Sequence, residues 1–238
     1  DHNVRGLPSI KNGYYNDQLL KTYRSLQSGL TELTFSVMEL MAICLGLQRN
    51  FFFKFYEDKK TSTQDIRAAH YFTEPLEKGR PLPYGEHTDY TGFTFLWRSA
   101  ENGLQCFDQR KSQIILDEDF EKVINTGSKS AWINVPILED YEDAIVINAG
   151  DLIERWTNGY WISNVHRVLG PNPSYVQRNP SRLGPISVAH FTGPAGSTKV
   201  KVLTESAKVR STGKIKAGWE TPITASEHLL MKLNASNR

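Results

Sequence analysis

The sequence has few cysteines and no long apolar run. Among its 238 residues only Cys44 and Cys106 are cysteines, too few for a disulfide framework. Cys44 lies in an apolar helical stretch, where a cysteine usually behaves as a small hydrophobe. No stretch is long and apolar enough to span a bilayer, and the first residues lack the basic and then apolar pattern of a signal peptide. We therefore expect a cytoplasmic protein.

The sequence also lacks an excess of one charge. It has 28 basic and 26 acidic residues, a formal net charge of +2, and no long run of one sign. Nucleic-acid and membrane-surface binding are therefore not expected. With 39% hydrophobic and 23% charged residues, the composition is typical of a globular protein. We expect a monomer that acts on a small molecule.

The order of the elements indicates a mainly β protein with helices on one side. Apolar residues recur every three or four positions from Asn16 to Cys44, which predicts a long helix that stops at Gly46. Six short runs typical of strands follow: IRAAHYF, FTFLW, GLQCF, AWINV, AIVIN and ISVAHF. Because no helices alternate with these strands, a sandwich or jelly roll is favoured over a parallel sheet. Thr224 or Ser226 is expected to cap a last short helix.

A histidine and an aspartate in GEHTDYTGFTFL are the first candidate metal ligands. On a strand, His87 and Asp89 point to the same face, because residues i and i+2 do so. His166 in TNGYWISNVHRVLGP is the candidate third ligand: turns at NAGD and TNG are expected to bring its strand back antiparallel to AIVIN. Two histidines and one carboxylate leave open positions, which favours non-haem Fe(II) over a closed zinc site. An isolated surface His and Asp is the alternative.

These motifs, in this order, resemble a known family. GEHTDYTGFTFL, GLQCF, WINV, NAGDLIERWTNGYWISNVHRV and ISVAHF are similar to the 2-oxoglutarate and Fe(II)-dependent dioxygenases of the isopenicillin N synthase-like class. The resemblance implies a distorted jelly roll, or cupin-like double-stranded β-helix, packed against the long N-terminal helix. It also implies iron held by His87, Asp89 and His166. We expect one domain over residues 1–238, with a helical part at 14–60, a jelly-roll core at 64–195 and a C-terminal helix at about 224–234. The family's usual N-terminal segment is not found before the long helix.

The resemblance also implies a 2-oxoglutarate site. The family binds the distal carboxylate of the cosubstrate with an Arg-x-Ser pair, and Ser187 matches the serine. Pro185 stands at the arginine position, so we expect Arg182, with Arg178 next, to supply the cation. Tyr71 matches a tyrosine that contacts the same cosubstrate. His190 is out of phase with Ser187 on its strand and is expected on the exterior.

The expected activity is oxidation of an unactivated C–H bond by Fe(II), 2-oxoglutarate and O2, with succinate and CO2 as coproducts. Hydroxylation, desaturation and oxidative ring closure are all compatible with this chemistry. By family analogy the substrate is a specialised metabolite or an amino-acid-like compound. Candidate substrate residues are Arg80, Tyr84 and Phe93, the last as part of an aromatic wall with Phe95 and Trp97.

Three other functions stay open from the sequence. The chain is a non-catalytic jelly-roll binding protein if the cosubstrate site has degenerated, as the proline at position 185 suggests. A metal hydrolase would use the same three ligands around a water molecule. An oxygenase acting on a protein side chain would require an extended groove.

Overall fold

A long helix precedes the sheets. The computed structural model describes residues 17–57, 63–71, 84–99, 103–108, 131–138, 143–169 and 186–236. Helix α1 spans Asp17–Cys44, and Gly46 follows it with φ +69°, a conformation that suits glycine at a helix end. The predicted helix and its stop are therefore confirmed. Cys44 is exposed, so the expectation that it packs as a small hydrophobe is wrong.

The strands form two four-stranded antiparallel sheets. Their bounds are β1 Asp65–His70, β2 Tyr84–His87, β3 Phe93–Arg98, β4 Leu104–Phe107, β5 Trp132–Asn134, β6 Ile145–Ala149, β7 His166–Val168 and β8 Ile186–Thr192. The major sheet has the order β1-β8-β3-β6 and the minor sheet the order β2-β7-β4-β5. Every strand pair within them is antiparallel. This is the jelly roll that the sequence predicted.

Shorter elements complete the described chain. They are a 3₁₀ turn at Phe53–Phe55, helix α2 at Asp151–Trp156, strand β9 at Lys199–Val200, helix α3 at Ala207–Arg210, strand β10 at Ile223–Thr224 and helix α4 at Ala225–Ser236. Strands β9 and β10 pair with each other. Thr224 caps α4: its hydroxyl accepts from the Glu227 amide at 3.2 Å, and the Glu227 carboxylate accepts from the Thr224 amide at 2.8 Å. None of the helices described is both long and apolar enough to cross a membrane.

The two faces of β3 have different surroundings. Phe93 and Phe95 belong to the apolar core, which also contains buried residues of α1 and α2. Thr94, Leu96 and Arg98 point to the opposite face and line a cavity. The expected aromatic wall in the substrate site is therefore wrong for Phe93, because the strand alternation turns this ring into the core.

His190 also lies on the core side of the major sheet. It is only 2% exposed and stacks on Phe95, with the ring centroids 6.1 Å apart. Its predicted phase relative to Ser187 is correct, but the expected exterior position is wrong. The reverse face of the major sheet is covered by the apolar core rather than by solvent.

Helix α2 changes the expected connection to His166. The sequence predicted that AIVIN and the run towards His166 form one antiparallel pair joined by turns. Instead, α2 follows β6 directly, β6 pairs with β3 in the major sheet, and β7 begins at His166 in the minor sheet. The two strands therefore belong to different sheets and are joined through a helix.

Candidate metal centre and active-site cavity

The two candidate histidines form a cross-strand pair. His87 is the last residue of β2 and His166 is the first residue of β7, and the antiparallel register places them directly opposite each other. Side chains at such paired positions lie on one face of the sheet and in contact. Their ring centroids are 4.2 Å apart. The register of the minor sheet therefore brings the two imidazoles together.

The carboxylate joins them from the loop after β2. Asp89 is 4% exposed, and its Oδ1 lies 3.9 Å from His87 Nε2 and 3.8 Å from His166 Nε2. The strand ends at His87, so the expectation that both residues lie on one strand is wrong, although the two side chains do converge. In the part of the chain that the structure describes, His87, Asp89 and His166 are the only group of three or more His, Cys, Asp or Glu side chains spaced to hold a metal ion. We call these three residues the metal group.

Each histidine is oriented by a hydrogen bond on its other ring nitrogen. His87 Nδ1 donates to the Gly85 carbonyl at 2.8 Å, and His166 Nδ1 donates to the Asn164 carbonyl at 3.0 Å. A carbonyl oxygen only accepts, so Nδ1 carries a proton in both rings. The nitrogen left to bind a metal is therefore Nε2 in both rings, and it is the nitrogen near the Asp89 carboxylate.

Asp89 is held in the same manner. Its Oδ2 accepts hydrogen bonds from Thr94 Oγ1 at 2.5 Å and from Asn148 Nδ2 at 2.6 Å. Thr94 and Asn148 are paired across β3 and β6 of the major sheet. Because both hydrogen bonds go to Oδ2, the other oxygen, Oδ1, points towards the two histidines. Outer contacts of this kind fix the ligands of metal sites and raise their affinity.

The protonation state of His87 also suits a metal ligand. Burial, the neighbouring His166 and Arg67 together lower the pKa of His87 to about 4, against the opposing effects of the Gly85 carbonyl and Asp89. The imidazole of His87 is therefore neutral at pH 7, which is the form that binds metal ions. Two imidazoles and one carboxylate fit a non-haem Fe(II) site with open coordination positions.

The N-terminus of α2 supports the loop that carries Asp89. The amides of Gly150, Asp151 and Leu152 donate to carbonyls within 89–92, at 2.6 to 3.0 Å. A side chain at Gly150 would place its Cβ 2.5 Å from the Thr91 carbonyl oxygen. Glycine is thus required by the close approach of two backbones. The sequence identified the NAGD segment only as a turn, and the hydrogen bonds give it this supporting position.

The metal group opens onto a cavity between the two sheets. The cavity has a volume of about 680 Å³. Tyr71, Tyr84 and Ser187, which the sequence selected, line it, and the Tyr71 hydroxyl lies 3.2 Å from Ser187 Oγ. Arg80, Arg178, Arg182 and Pro185 lie outside the described residues.

Several polar residues of the site were missed by the sequence reasoning. Arg67 and Arg98 line the cavity, and Thr94 and Asn148 bind the Asp89 carboxylate. Arg67 had a usable signal, because strand alternation puts it on the same face as Tyr71. The others depend on strand register, which spacing along the chain does not reveal.

A sequence profile described as the 2OG-Fe(II) oxygenase superfamily matches residues 63–191, which is more than half of the chain. The chain belongs to this superfamily. The superfamily uses Fe(II) and 2-oxoglutarate, with O2 as the usual cosubstrate. The matched segment contains all three residues of the candidate metal centre.

Comparisons with individual oxygenases agree. The chain is 32% identical over 137 residues to the 2-oxoglutarate-dependent dioxygenase traH of Penicillium crustosum, covering 57% of this chain and 34% of that one. It is 26% identical over 166 residues to gibberellin 20 oxidase 3 of Arabidopsis thaliana, covering 70% and 37%. The crystal structure of JOX2 in complex with 2OG, Fe and JA matches with a TM-score of 0.64 at 18% identity, covering 92% of this chain and 54% of that one. The two sequence alignments therefore span only about a third of each curated relative, and the structural match shows the fold.

Proposed function

We propose that the protein is an Fe(II)- and 2-oxoglutarate-dependent oxygenase that oxidises an unactivated C–H bond of a small molecule. The observation that carries this proposal is the convergence of His87 Nε2, His166 Nε2 and Asp89 Oδ1 at the wall of a large cavity. The other side-chain atom able to bind a metal on each residue, Nδ1 or Oδ2, already has a hydrogen-bond partner. Family membership adds independent support.

His87, Asp89 and His166 would hold the ion and leave its remaining positions free on the cavity side. Bound Fe(II), with 2-oxoglutarate and O2, supplies the oxidising power and releases succinate and CO2 as coproducts. The protein's own task is to orient the reactants and to limit access of water. Hydroxylation, desaturation and ring closure would differ in how the substrate is held relative to the ion.

The Tyr71 and Ser187 hydroxyls are proposed to contact 2-oxoglutarate. They lie 3.2 Å apart on the cavity wall, one after β1 and one on β8. Hydroxyl groups donate readily to a carboxylate, which needs such partners once it leaves water. The role of Arg182 as their cationic partner stays a prediction, since this residue lies outside the described part.

An acidic or amino-acid-like substrate is favoured by Arg67 and Tyr84. Arg67 Nη1 donates to the Tyr84 hydroxyl at 3.0 Å, and the Tyr84 ring lies 4.4 Å from the His87 ring. No described carboxylate pairs with Arg67, so its charge is free to bind an anion near the metal centre. A specialised metabolite with a carboxylate fits this position. The proposed contact of Arg80 stays a prediction.

The test is metal binding together with 2-oxoglutarate turnover. Replacing His87, Asp89 or His166 by Ala should weaken Fe(II) binding by at least about 100-fold and abolish succinate formation. His70→Ala is the matched control, because His70 lines the cavity but is not part of the metal group. It should keep one bound Fe(II) for each chain. Full Fe(II) affinity in His166→Ala would refute the proposed ligand set.

The other candidate functions give different results in the same assay. A metal hydrolase would act without O2 or 2-oxoglutarate, and a binding protein would consume neither. Succinate formation coupled to O2 uptake would exclude both. Activity on a peptide but on no small molecule would move the substrate class to a protein side chain. The monomeric state and the cytoplasmic location stay predictions.

A further inference from the structure

The proposed cosubstrate is a dicarboxylate, and its second carboxylate needs a cation inside the cavity. An ionised carboxylate is costly to bury unless a charged donor or several hydrogen bonds accompany it. Among the described residues that line the cavity, Arg67 and Arg98 are the only lysines or arginines. The position of each relative to the two candidate hydroxyls decides between them.

Arg98 lies next to those hydroxyls. In the register of β3 with β8, Arg98 is directly opposite Ser187. Its side chain is on the cavity face of β3, together with Thr94 and Leu96. Ser187 Oγ is 3.2 Å from the Tyr71 hydroxyl. The register therefore places Arg98 directly beside the serine of this hydroxyl pair, on the wall of the same cavity.

The guanidinium of Arg98 is already oriented. Its Nη2 donates to the Val135 carbonyl at 2.8 Å and to the Pro136 carbonyl at 2.6 Å. Its Nη1 is buried and has no hydrogen-bond partner among the described residues. A buried donor without an acceptor is costly, and a charged one especially so. A carboxylate bound here would accept a hydrogen bond from Nη1, and the two hydrogen bonds of Nη2 already hold the guanidinium in a fixed orientation.

The positive charge on Arg98 is also partly buried. Burial lowers the pKa of the Arg98 guanidinium, against the opposing effect of the nearby Cys106 thiol. Arginine nevertheless stays protonated in proteins. An anion at this position would offset the cost of burying the cation.

Distance along the strand is consistent with a bound dicarboxylate. Thr94, which binds the metal-side carboxylate Asp89, lies four residues before Arg98 on the same face of β3. Four residues of strand span about 13 Å. This length would have to hold four groups in a row: the Asp89 side chain, the ion, the five-carbon cosubstrate and the arginine side chain.

Arg67 is placed differently. It pairs with Ala189 rather than Ser187, two residues nearer to the metal end of β8. Its Nη1 is bonded to Tyr84 and its side chain is exposed. This position suits the substrate rather than the cosubstrate.

We propose that Arg98, together with Ser187 and Tyr71, binds the distal carboxylate of 2-oxoglutarate. The proposal rests on the proposed function, because it assumes that the 2-oxo acid end lies at the metal. It places the cation on β3, on the opposite side of Ser187 from β1 and Tyr71. Arg98, on the neighbouring strand β3, would thus take the role of the family's arginine, whose position is occupied by Pro185 in this chain.

The test compares two ligands that differ only at the distal group. Fe(II)-loaded protein is titrated without oxygen, by calorimetry, with 2-oxoglutarate and with 2-oxopentanoate, which has a methyl group in place of the distal carboxylate. The wild type should prefer 2-oxoglutarate. Arg98→Gln should reduce this preference about 10-fold to 100-fold, because one hydrogen-bonded ion pair is lost. Its affinity for 2-oxopentanoate should stay unchanged.

Matched variants separate this role from a structural one. Arg67→Gln makes the same chemical change at the other cavity arginine and should keep the preference. Arg98→Lys retains the charge without the fork and should give an intermediate preference, and it replaces Arg98→Gln if the latter does not fold. Fe(II) binding and the unfolding temperature are measured for every variant.

Other outcomes overturn the proposal. An unchanged preference in both Arg98 variants, or a preference lost in Arg182→Gln or Arg67→Gln instead, would move the cation elsewhere. Equal binding of the two ligands by the wild type would show that no cation meets the distal group. Failure of the wild type to bind Fe(II) or any 2-oxo acid would instead refute the proposed function itself.

Discussion

Removing the Thr94 hydroxyl should weaken metal binding without removing a metal ligand. Thr94 Oγ1 donates to Asp89 Oδ2 at 2.5 Å, and only Asn148 Nδ2 shares that oxygen among the described side chains. Thr94→Val keeps the branched shape in a position that is 3% exposed, so the packing of β3 should be retained. The carboxylate would then lose one of the two contacts that turn Oδ1 towards the histidines.

The magnitude follows from the charge on the acceptor. A hydrogen bond to a charged group contributes about 1.5 to 3 kcal/mol. If this difference falls on the metal-bound state, Fe(II) affinity should decrease by about 10-fold to 100-fold. Any part that falls on the metal-free fold should appear instead as a lower free energy of unfolding. Both quantities are therefore required.

The assay is anaerobic competition for Fe(II) between the protein and a chelator, with denaturant unfolding of the metal-free protein alongside. Thr91→Val is the matched control. Thr91 is also buried and lies in the same segment, but its hydroxyl has no hydrogen-bond partner among the described residues. The control should keep its Fe(II) affinity within about twofold. Equal losses in the two variants, or no loss in Thr94→Val, would refute the argued role of this hydroxyl.

Two further predictions concern the supports of the site. Gly150→Ala should destabilise the fold by about 1 to 3 kcal/mol and lower Fe(II) affinity, because the new Cβ would meet the Thr91 carbonyl oxygen. Gly29 is an exposed residue of α1 where an added Cβ would meet no atom within 4 Å, so Gly29→Ala should stabilise the fold in the same denaturant assay. Burial would raise the pKa of Asp151, but the His228 hydrogen bond and the Lys232 charge outweigh it and hold this pKa below the usual carboxyl range. The stability that Asp151 contributes is therefore present above the ordinary carboxyl range and is lost as the pH falls through the lowered pKa. Lys232→Met should shift acid unfolding to higher pH, followed by circular dichroism, while the exposed Lys208→Met should not. An unchanged transition in Lys232→Met, or full stability in Gly150→Ala, would contradict these arguments.

Local patterns carried the prediction of the elements. The apolar recurrence up to Cys44 and the glycine at position 46 predicted α1 and its end, and Thr224 was one of the two predicted caps of α4. Such signals need only a few neighbouring residues, since hydrogen bonding and capping within a helix are local. Most strands of the jelly roll were also predicted, because a short run of strand-forming residues between turn residues is a local signal too.

Contacts between distant segments were predicted less well. Phe93 was assigned to the substrate site, although strand alternation places it in the core together with Phe95. His190 was expected at the surface, because the sequence does not show that the reverse face of its sheet is covered. Cys44 was expected to behave as a small hydrophobe and is exposed, since an apolar helical stretch does not reveal how far each residue is covered. The errors for His190 and Cys44 concern what packs against a face, whereas the error for Phe93 concerns which face of β3 lines the cavity.

The sequence by itself determined the types of element, the residues able to bind a metal and the resemblance to a family. Only the tertiary structure decided that His87 stands opposite His166, that Thr94 and Asn148 hold Asp89, and that Arg98 stands opposite Ser187. The physical reason is that these contacts depend on the register between strands far apart in the chain. Register is set by the pairing of whole strands and by their packing into two sheets, and a shift of one residue would turn each of these side chains to the other face.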